Sequence, residues 1–153
     1  MSFKSDLIGN VSLVRWSDEI TFADLEQAEA IIARHKRTAK PGQAMLGVGI
    51  MGHGVKTPSR AVAAKAKESL LRGMLDGFGA VYMVLENASW LDGMMAQVMR
   101  ITFLSFLDKM KIAKDLRVVL NESPVPLVFP PSMTYVRAVE SGVWCPELRE
   151  TGT

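Results

Sequence analysis

The chain has 153 residues, of which 48% are hydrophobic and 22% are charged. This length and balance are typical of a folded domain with its own core, and they exclude an intrinsically disordered chain. The formal net charge of +2 is too small to indicate a nucleic-acid partner. We expect one domain at residues 1–144 and a flexible tail at residues 145–153.

Residue usage also bears on the compartment of the protein. Cys145 is the only cysteine, so an intrachain disulfide is impossible, as is usual in a reducing compartment. The N-terminal segment lacks the apolar core of a secretory signal. The most apolar stretch, residues 90–110, is interrupted by charged and polar residues, which is unlike a membrane span. We therefore expect a soluble, cytoplasmic protein with no membrane span.

The first predicted elements are a β-hairpin and a helix. Residues 3–8 and 11–16 have the composition of strands, and Gly9-Asn10 between them is a turn signal. Thr21 is the expected N-cap of the helix, with Asp24 at the N3 position in a weak capping box. Apolar residues then recur at helical spacing.

Apolar runs of strand length alternate with helices in the rest of the chain. Buried strands are predicted at residues 44–51, 80–85 and 116–120. Helices are predicted at residues 58–77, 87–114 and 132–142, the first of them capped by Thr57. The predicted order, β-β-α-β-α-β-α-β-α, implies an α/β fold with a mixed, mostly parallel sheet of about five strands covered by helices.

Residues 47–52, Gly-Val-Gly-Ile-Met-Gly, match the dinucleotide-binding pattern G-x-G-x-x-G. That chemistry needs the glycines in a turn between a strand and a helix, so that pyrophosphate meets the helix N-terminus. Here the first two glycines lie inside an apolar run, and the next helix begins well past the third. We therefore expect strand and loop glycines, and no cofactor.

The loop after this strand is the alternative site for a small ligand or nucleotide, because α/β folds bind ligands at the carboxyl ends of strands. Its candidate residues are Gly52, His53, Gly54, Thr57, Ser59 and Arg60. His53 has no evident catalytic partner in the sequence, so we expect no enzyme. His35 lies among basic residues at a helix end, where we expect it to be solvated. The two histidines and Cys145 are too far apart to indicate a metal site.

The predicted helix at residues 87–114 carries more apolar surface than one packed face needs. Around residues 98–107 it is apolar on most sides, which indicates a second contact, either with a neighbouring helix of the same domain or with another protein chain. Methionine suits adaptable binding surfaces. The candidate interface residues, for a protein partner or a homodimer, are Trp90, Met94, Met95, Met99, Phe103 and Phe106.

The element order resembles the STAS domain, the family of sulfate transporters and anti-sigma-factor antagonists, and the related Sec14-like domains of bacterial proteins. The segments that carry the resemblance are residues 11–17, 20–21, 58–60, 81–86 and 116–120. The resemblance implies a non-enzymatic regulatory or scaffolding domain that acts through protein contacts. Phosphorylatable members have Asp-Ser-Ser/Thr-Gly at the second helix, whereas residues 56–60 read Lys-Thr-Pro-Ser-Arg. We therefore expect no phosphorylation switch of that kind.

Overall fold

The computed structural model describes residues 3–86 and 110–146. Its sheet contains the strands β1 (Phe3–Ile8), β2 (Val11–Trp16), β3 (Met45–Met51), β4 (Phe78–Leu85) and β5 (Met110–Ala113). The helices in the described ranges are α1 (Phe22–Thr38), α2 (Arg60–Leu71), α3 (Leu116–Glu122) and α4 (Pro131–Glu140). The predicted α/β class is therefore confirmed.

The sheet is mixed and mostly parallel, as predicted. Its strands follow the order β1-β2-β3-β4-β5. β1 and β2 are antiparallel, with Phe3 opposite Trp16, and every later pair of neighbours is parallel. Gly9 in the hairpin turn has a φ of 60°, which glycine adopts with little strain. The predicted N-terminal hairpin is confirmed.

Two helical layers cover the two faces of the sheet. Because side chains alternate along a strand, Leu13 of β2 packs in one core with residues of α3 and α4. Val14 packs in the other core with residues of α1 and α2. We call these the α3/α4 face and the α1/α2 face. The α1/α2 face carries the candidate site described below.

Capping fixes where the first two helices begin. Thr21 caps α1 in a capping box with Asp24, as predicted. α2 begins two residues later than predicted, because Ser59, and not Thr57, is the N-cap and its Oγ accepts from the Val62 amide at 3.2 Å. The predicted extension of α2 to Gly77 is also wrong, since the helix ends at Leu71 and turns follow it.

The strand predicted at residues 116–120 is wrong, because this segment forms helix α3. Asp115 caps the helix by accepting from the Arg117 amide at 2.9 Å. Leu116, Val119 and Leu120 then fall at helical spacing and are buried on the α3/α4 face. The fifth strand of the sheet is Met110–Ala113, which the sequence places at the end of a helix. The described order is thus β-β-α-β-α-β before residue 87 and β-α-α from residue 110.

Two predictions fall largely outside the described residues. The helix predicted at residues 87–114 lies outside them up to residue 109, and of the tail predicted at 145–153 only Cys145 and Pro146 are described. The amide of Cys145 donates to Glu86 at 3.3 Å, so the start of this tail is attached to the sheet. No helix in the described ranges is long and apolar enough to cross a membrane.

Candidate functional site

A cavity of about 120 Å³ lies between the α1/α2 face of the sheet and the two helices that cover it. Its described wall is almost entirely aliphatic and aromatic, and no charged side chain contributes to that wall. Representative members from the sheet and both helices are Val14, Trp16, Ile32, Val62, Ala66 and Phe78. A wall of this kind favours an apolar occupant, because a charged group would lose its hydration without gaining a partner.

Two glycines of β3 help to create this space. Gly47 and Gly49 both line the cavity, at positions where other residues would present side chains. A Cβ at Gly47 would lie 3.2 Å from the ring of Phe78, and one at Gly49 would lie 3.1 Å from the side chain of Met83. The prediction that these two glycines lie within the strand is confirmed. They leave room at the surface of the sheet for the ring of Phe78 and the side chain of Met83, which also line the cavity.

The size of the cavity limits what can occupy it. An engineered apolar cavity of about 150 Å³ takes up benzene or xenon. Pockets that bind drug-sized ligands measure about 300–1,000 Å³. A space of about 120 Å³ therefore suits a molecule of roughly benzene size. A nucleotide or dinucleotide is too large and too highly charged for it.

A buried polar pair lies beside the cavity. Ser12 of β2 lines the cavity wall, and its Oγ is 2.7 Å from Nδ1 of His35 on α1. The two side chains are 2% and 6% exposed, so the expectation that His35 is solvated is wrong. Burial, with a further contribution from Arg34, lowers the pKa of His35 below its ordinary value, while Asp6 acts in the opposite direction. Burial therefore favours the neutral form of His35.

A second buried polar group lies at the carboxyl ends of the parallel strands. Arg15 binds Glu86 through two hydrogen bonds, of which the one from Nη2 to Oε1 measures 2.8 Å. Their side chains are 5% and 0% exposed. Burial, the largest single effect, opposes the charge of Arg15, but hydrogen bonding and charge attraction to Glu86, with a smaller contribution from Cys145, together outweigh it, so the pKa of Arg15 is raised. Glu86 also accepts from the backbone amides of His53, at 2.9 Å, and Cys145.

These four hydrogen bonds give the Glu86 carboxylate a structural role. They occupy both of its oxygens and join β2, the loop after β3 and the segment after α4 to the end of β4. A carboxylate bound in this way has little capacity left to accept a proton from a substrate. We therefore regard the Arg15–Glu86 pair as a clamp that holds the carboxyl edge of the sheet together.

The predicted ligand loop is divided by the structure into two parts. Gly52 and His53 lie against the clamp, and a Cβ at Gly52 would be only 2.6 Å from Nη2 of Arg15. Nδ1 of His53 is buried without a hydrogen-bond partner among the described residues. Gly54 has a φ of 90° and is exposed. The remaining members, Thr57, Ser59 and Arg60, are exposed, and the hydroxyl of Ser59 is used in capping α2.

Strand order also bears on this loop. Ligands of open α/β sheets bind where the strand order reverses, since a crevice opens between connections that diverge to opposite faces. The parallel strands here follow one another without a reversal, and α1 and α2 cover the same face. Within residues 3–86 and 110–146 the structure therefore shows no such crevice at the loop, and ligand binding there stays a prediction.

The other predicted site is the set of interface residues, which lies outside the described residues. This set comprises Trp90, Met94, Met95, Met99, Phe103 and Phe106. Within the described ranges, no group of three or more His, Cys, Asp or Glu residues is arranged to hold a metal ion.

Comparison with known proteins found no matching family model, no matching curated protein and no matching solved structure.

Sequence reasoning missed both buried polar pairs, although each has a signal in the sequence. Arg15 and Glu86 stand at the carboxyl ends of two apolar strands that a parallel sheet brings to one edge. His35 continues the buried stripe of α1 that includes Ala28 and Ile32, so helical spacing places it in the core.

Proposed function

We propose that this protein is a non-catalytic binding domain that takes up one small, largely apolar molecule between its sheet and helices α1 and α2. The observation that carries the proposal is the apolar cavity of about 120 Å³. At about 24 cal/mol per Å³, leaving such a space empty costs roughly 3 kcal/mol. An apolar ligand would recover part of that free energy.

The position of the cavity suggests how binding would act on the protein. Surface ion pairs join α1 to α2: Arg72 to Glu29 at 2.7 Å and Lys65 to Glu26 at 3.8 Å. Exposed pairs of this kind hold helices together only weakly. A ligand in the cavity would contact both helices and the sheet at once. Binding would therefore stiffen the helical layer, and a partner could detect that change.

The Ser12–His35 pair raises the question of catalysis, since a serine next to a histidine is also the arrangement of a nucleophile and its base. Acyl transfer requires hydrogen-bond donors for the oxyanion that forms at the attacked carbonyl. The described wall around Ser12 is almost entirely apolar, the Ser69 hydroxyl in it is already bonded to Glu29, and the Ser12 backbone lies within paired strands. We therefore propose binding in preference to catalysis.

A regulatory role in the cytoplasm belongs to the same proposal. Its support is the resemblance to STAS-like domains, together with the antiparallel hairpin at the edge of a parallel sheet. A small molecule bound under α1 and α2 would be the signal that such a domain transmits to other proteins.

Self-association through residues 90–106 is a second proposal, which rests on the apolar width of the sequence around residues 98–107. Its test is sedimentation of the Phe103→Glu and Phe106→Glu variants. We expect folded variants of lower mass than the wild type. Folded variants of unchanged mass would contradict the proposal.

A thermal-shift screen tests the binding proposal against the nucleotide alternative. Benzene, toluene and cyclohexane should raise the melting temperature, whereas ATP and NAD should not. At about ten times the Kd, a ligand stabilises the folded state by roughly 1.4 kcal/mol. For a chain of this length that corresponds to about 3–6 °C. A rise with nucleotides alone would favour the loop of Gly52, His53, Gly54, Thr57, Ser59 and Arg60 instead.

A further inference from the structure

We propose that Ser12, oriented by His35, selects ligands that carry one uncharged hydrogen-bonding group, such as a hydroxyl or a carbonyl, on a small apolar body. This inference rests on the proposed function, because it assigns a ligand class to the same cavity. The proposed ligands carry a hydrogen-bonding group, which a purely apolar wall would disfavour.

The Ser12 hydroxyl can form a further hydrogen bond besides its contact with His35. A serine hydroxyl has one donor and two acceptor lone pairs, and the contact with Nδ1 of His35 uses one of these. If the hydroxyl donates to Nδ1, its lone pairs are left for a ligand that donates. If Nδ1–H donates instead, the hydroxyl is free to donate to a ligand carbonyl. Either tautomer of His35 therefore leaves capacity on a side chain that lines the cavity.

The charge of a ligand restricts further which molecules can bind in the cavity. The described wall contains no charged side chain, and burial favours the neutral form of His35 by lowering its pKa. A carboxylate or an ammonium group would therefore be buried without an opposite charge, which is strongly unfavourable. A hydroxyl on the ligand avoids that penalty because Ser12 can satisfy it.

Ser69 provides a matched control within the same cavity. It lies on α2, lines the wall and is as fully buried as Ser12. Its hydroxyl, however, is hydrogen-bonded to Glu29 of α1 and lies 3.5 Å from Nη2 of Arg72. Two of its three hydrogen-bonding positions are therefore taken, against one for Ser12, so removing the Ser69 hydroxyl should change ligand preference much less.

The test compares the binding of benzene and phenol by calorimetry. A purely hydrophobic pocket rejects a ligand in which a hydroxyl takes the place of a methyl by about 100-fold, and phenol, which adds a hydroxyl to benzene, should be rejected by such a pocket at least as strongly. If Ser12 binds the hydroxyl, phenol should bind the wild type at least as tightly as benzene. Ser12→Ala should then raise the ratio of the phenol Kd to the benzene Kd by about tenfold or more, since the hydroxyl loses its partner. Ser69→Ala should change this ratio much less than Ser12→Ala does.

A second variant covers the case in which Ser12→Ala fails to fold because His35 loses its partner. The double variant Ser12→Ala/His35→Leu removes both polar groups, so that neither is left buried without a partner, and such a change can be nearly neutral for stability. It should still bind benzene and should discriminate against phenol. Butanol should compete with benzene in the wild type, whereas butyrate should not.

Three results would overturn the inference while leaving the proposed function intact. These are phenol binding the wild type far more weakly than benzene, an unchanged ratio in the folded Ser12 variants, and butyrate competing as well as butanol. Failure of benzene itself to bind the wild type would instead overturn the proposed function.

Discussion

Replacing Ala66 with leucine should stabilise the protein by filling the cavity beneath α2. Ala66 lines the cavity from the middle of the helix and packs against the surrounding core. Leucine adds three carbons, and at about 0.8 kcal/mol for each buried carbon the upper limit of the gain is roughly 2.4 kcal/mol. Rotamer strain in a filled core takes back part of this, so we expect a net gain of about 1 kcal/mol.

Urea unfolding measures this gain as a change in midpoint at constant slope. The matched control is Ala64→Leu, because Ala64 is exposed on the same helix and the change has a similar effect on helix propensity. The control should leave the free energy of unfolding nearly unchanged. A loss of stability in Ala66→Leu, with a neutral control, would show that the space is already filled and would refute the reasoning.

Three further predictions concern the buried polar groups and the glycines. Glu86→Gln should lower the free energy of unfolding by about 3–5 kcal/mol, because the buried guanidinium of Arg15 loses its counter-charge. Glu29→Gln, which removes the charge of an exposed ion pair, should have little effect in the same urea assay. The free energy of unfolding should fall as the pH drops below about 6.5, because the pKa of His35 is lower in the folded protein and the unfolded chain therefore binds the proton at a higher pH. His35→Leu should remove this part of the pH dependence. Gly52→Ala should lower the free energy of unfolding by about 2–3 kcal/mol, because its Cβ would lie 2.7 Å from a backbone oxygen. Gly49→Ala should lower it by less than about 1 kcal/mol, because its Cβ would meet only the flexible end of a methionine side chain. Melting temperatures of the two variants measure the difference.

Each of these predictions has a contradicting result. Similar losses for Glu86→Gln and Glu29→Gln would show that burial does not set the strength of the clamp. An identical pH profile in wild type and His35→Leu would show that His35 titrates normally in the folded protein. A larger loss at Gly49 than at Gly52 would show that the two glycines have been assigned the wrong roles.

Local signals predicted the first half of the fold well. The hairpin depends on two short strands and the Gly9-Asn10 turn between them, and α1 begins at the capping box of Thr21 and Asp24. These features are decided by residues close together in the chain. The mostly parallel sheet followed because continuous apolar strands alternate with helices.

Residues 116–120 show where local pattern fails. A five-residue segment with four apolar residues, here interrupted by Arg117, fits a buried strand and a short helix equally well. Two features decide for the helix: the cap at Asp115, and the pairing of β5 with β4, which already completes this edge of the sheet. The pairing partners of β5 lie 29 positions earlier in the chain, as in Val81 with Met110, so no short window contains the information.

The burial of the polar residues in the candidate site has a signal in the sequence, but their pairing does not, for a related reason. Ser12 and His35 are 23 positions apart, and Arg15 and Glu86 are 71 apart. Their contacts depend on the register of the sheet and on where α1 packs across it. The cavity depends in addition on the face of the sheet on which Gly47 and Gly49 lack a side chain. It also depends on how far the neighbouring side chains cover these two positions.

The most direct test of the central claim is calorimetric titration of benzene into the wild type and into Ala66→Leu. We predict saturable binding of one molecule per chain to the wild type, with a negative heat-capacity change because apolar surface is buried. Ala66→Leu should be folded and should bind little or no benzene, and Ala64→Leu should bind as the wild type does. Absence of saturable binding to the wild type, or equal binding to Ala66→Leu, would contradict the claim that this cavity is a ligand site.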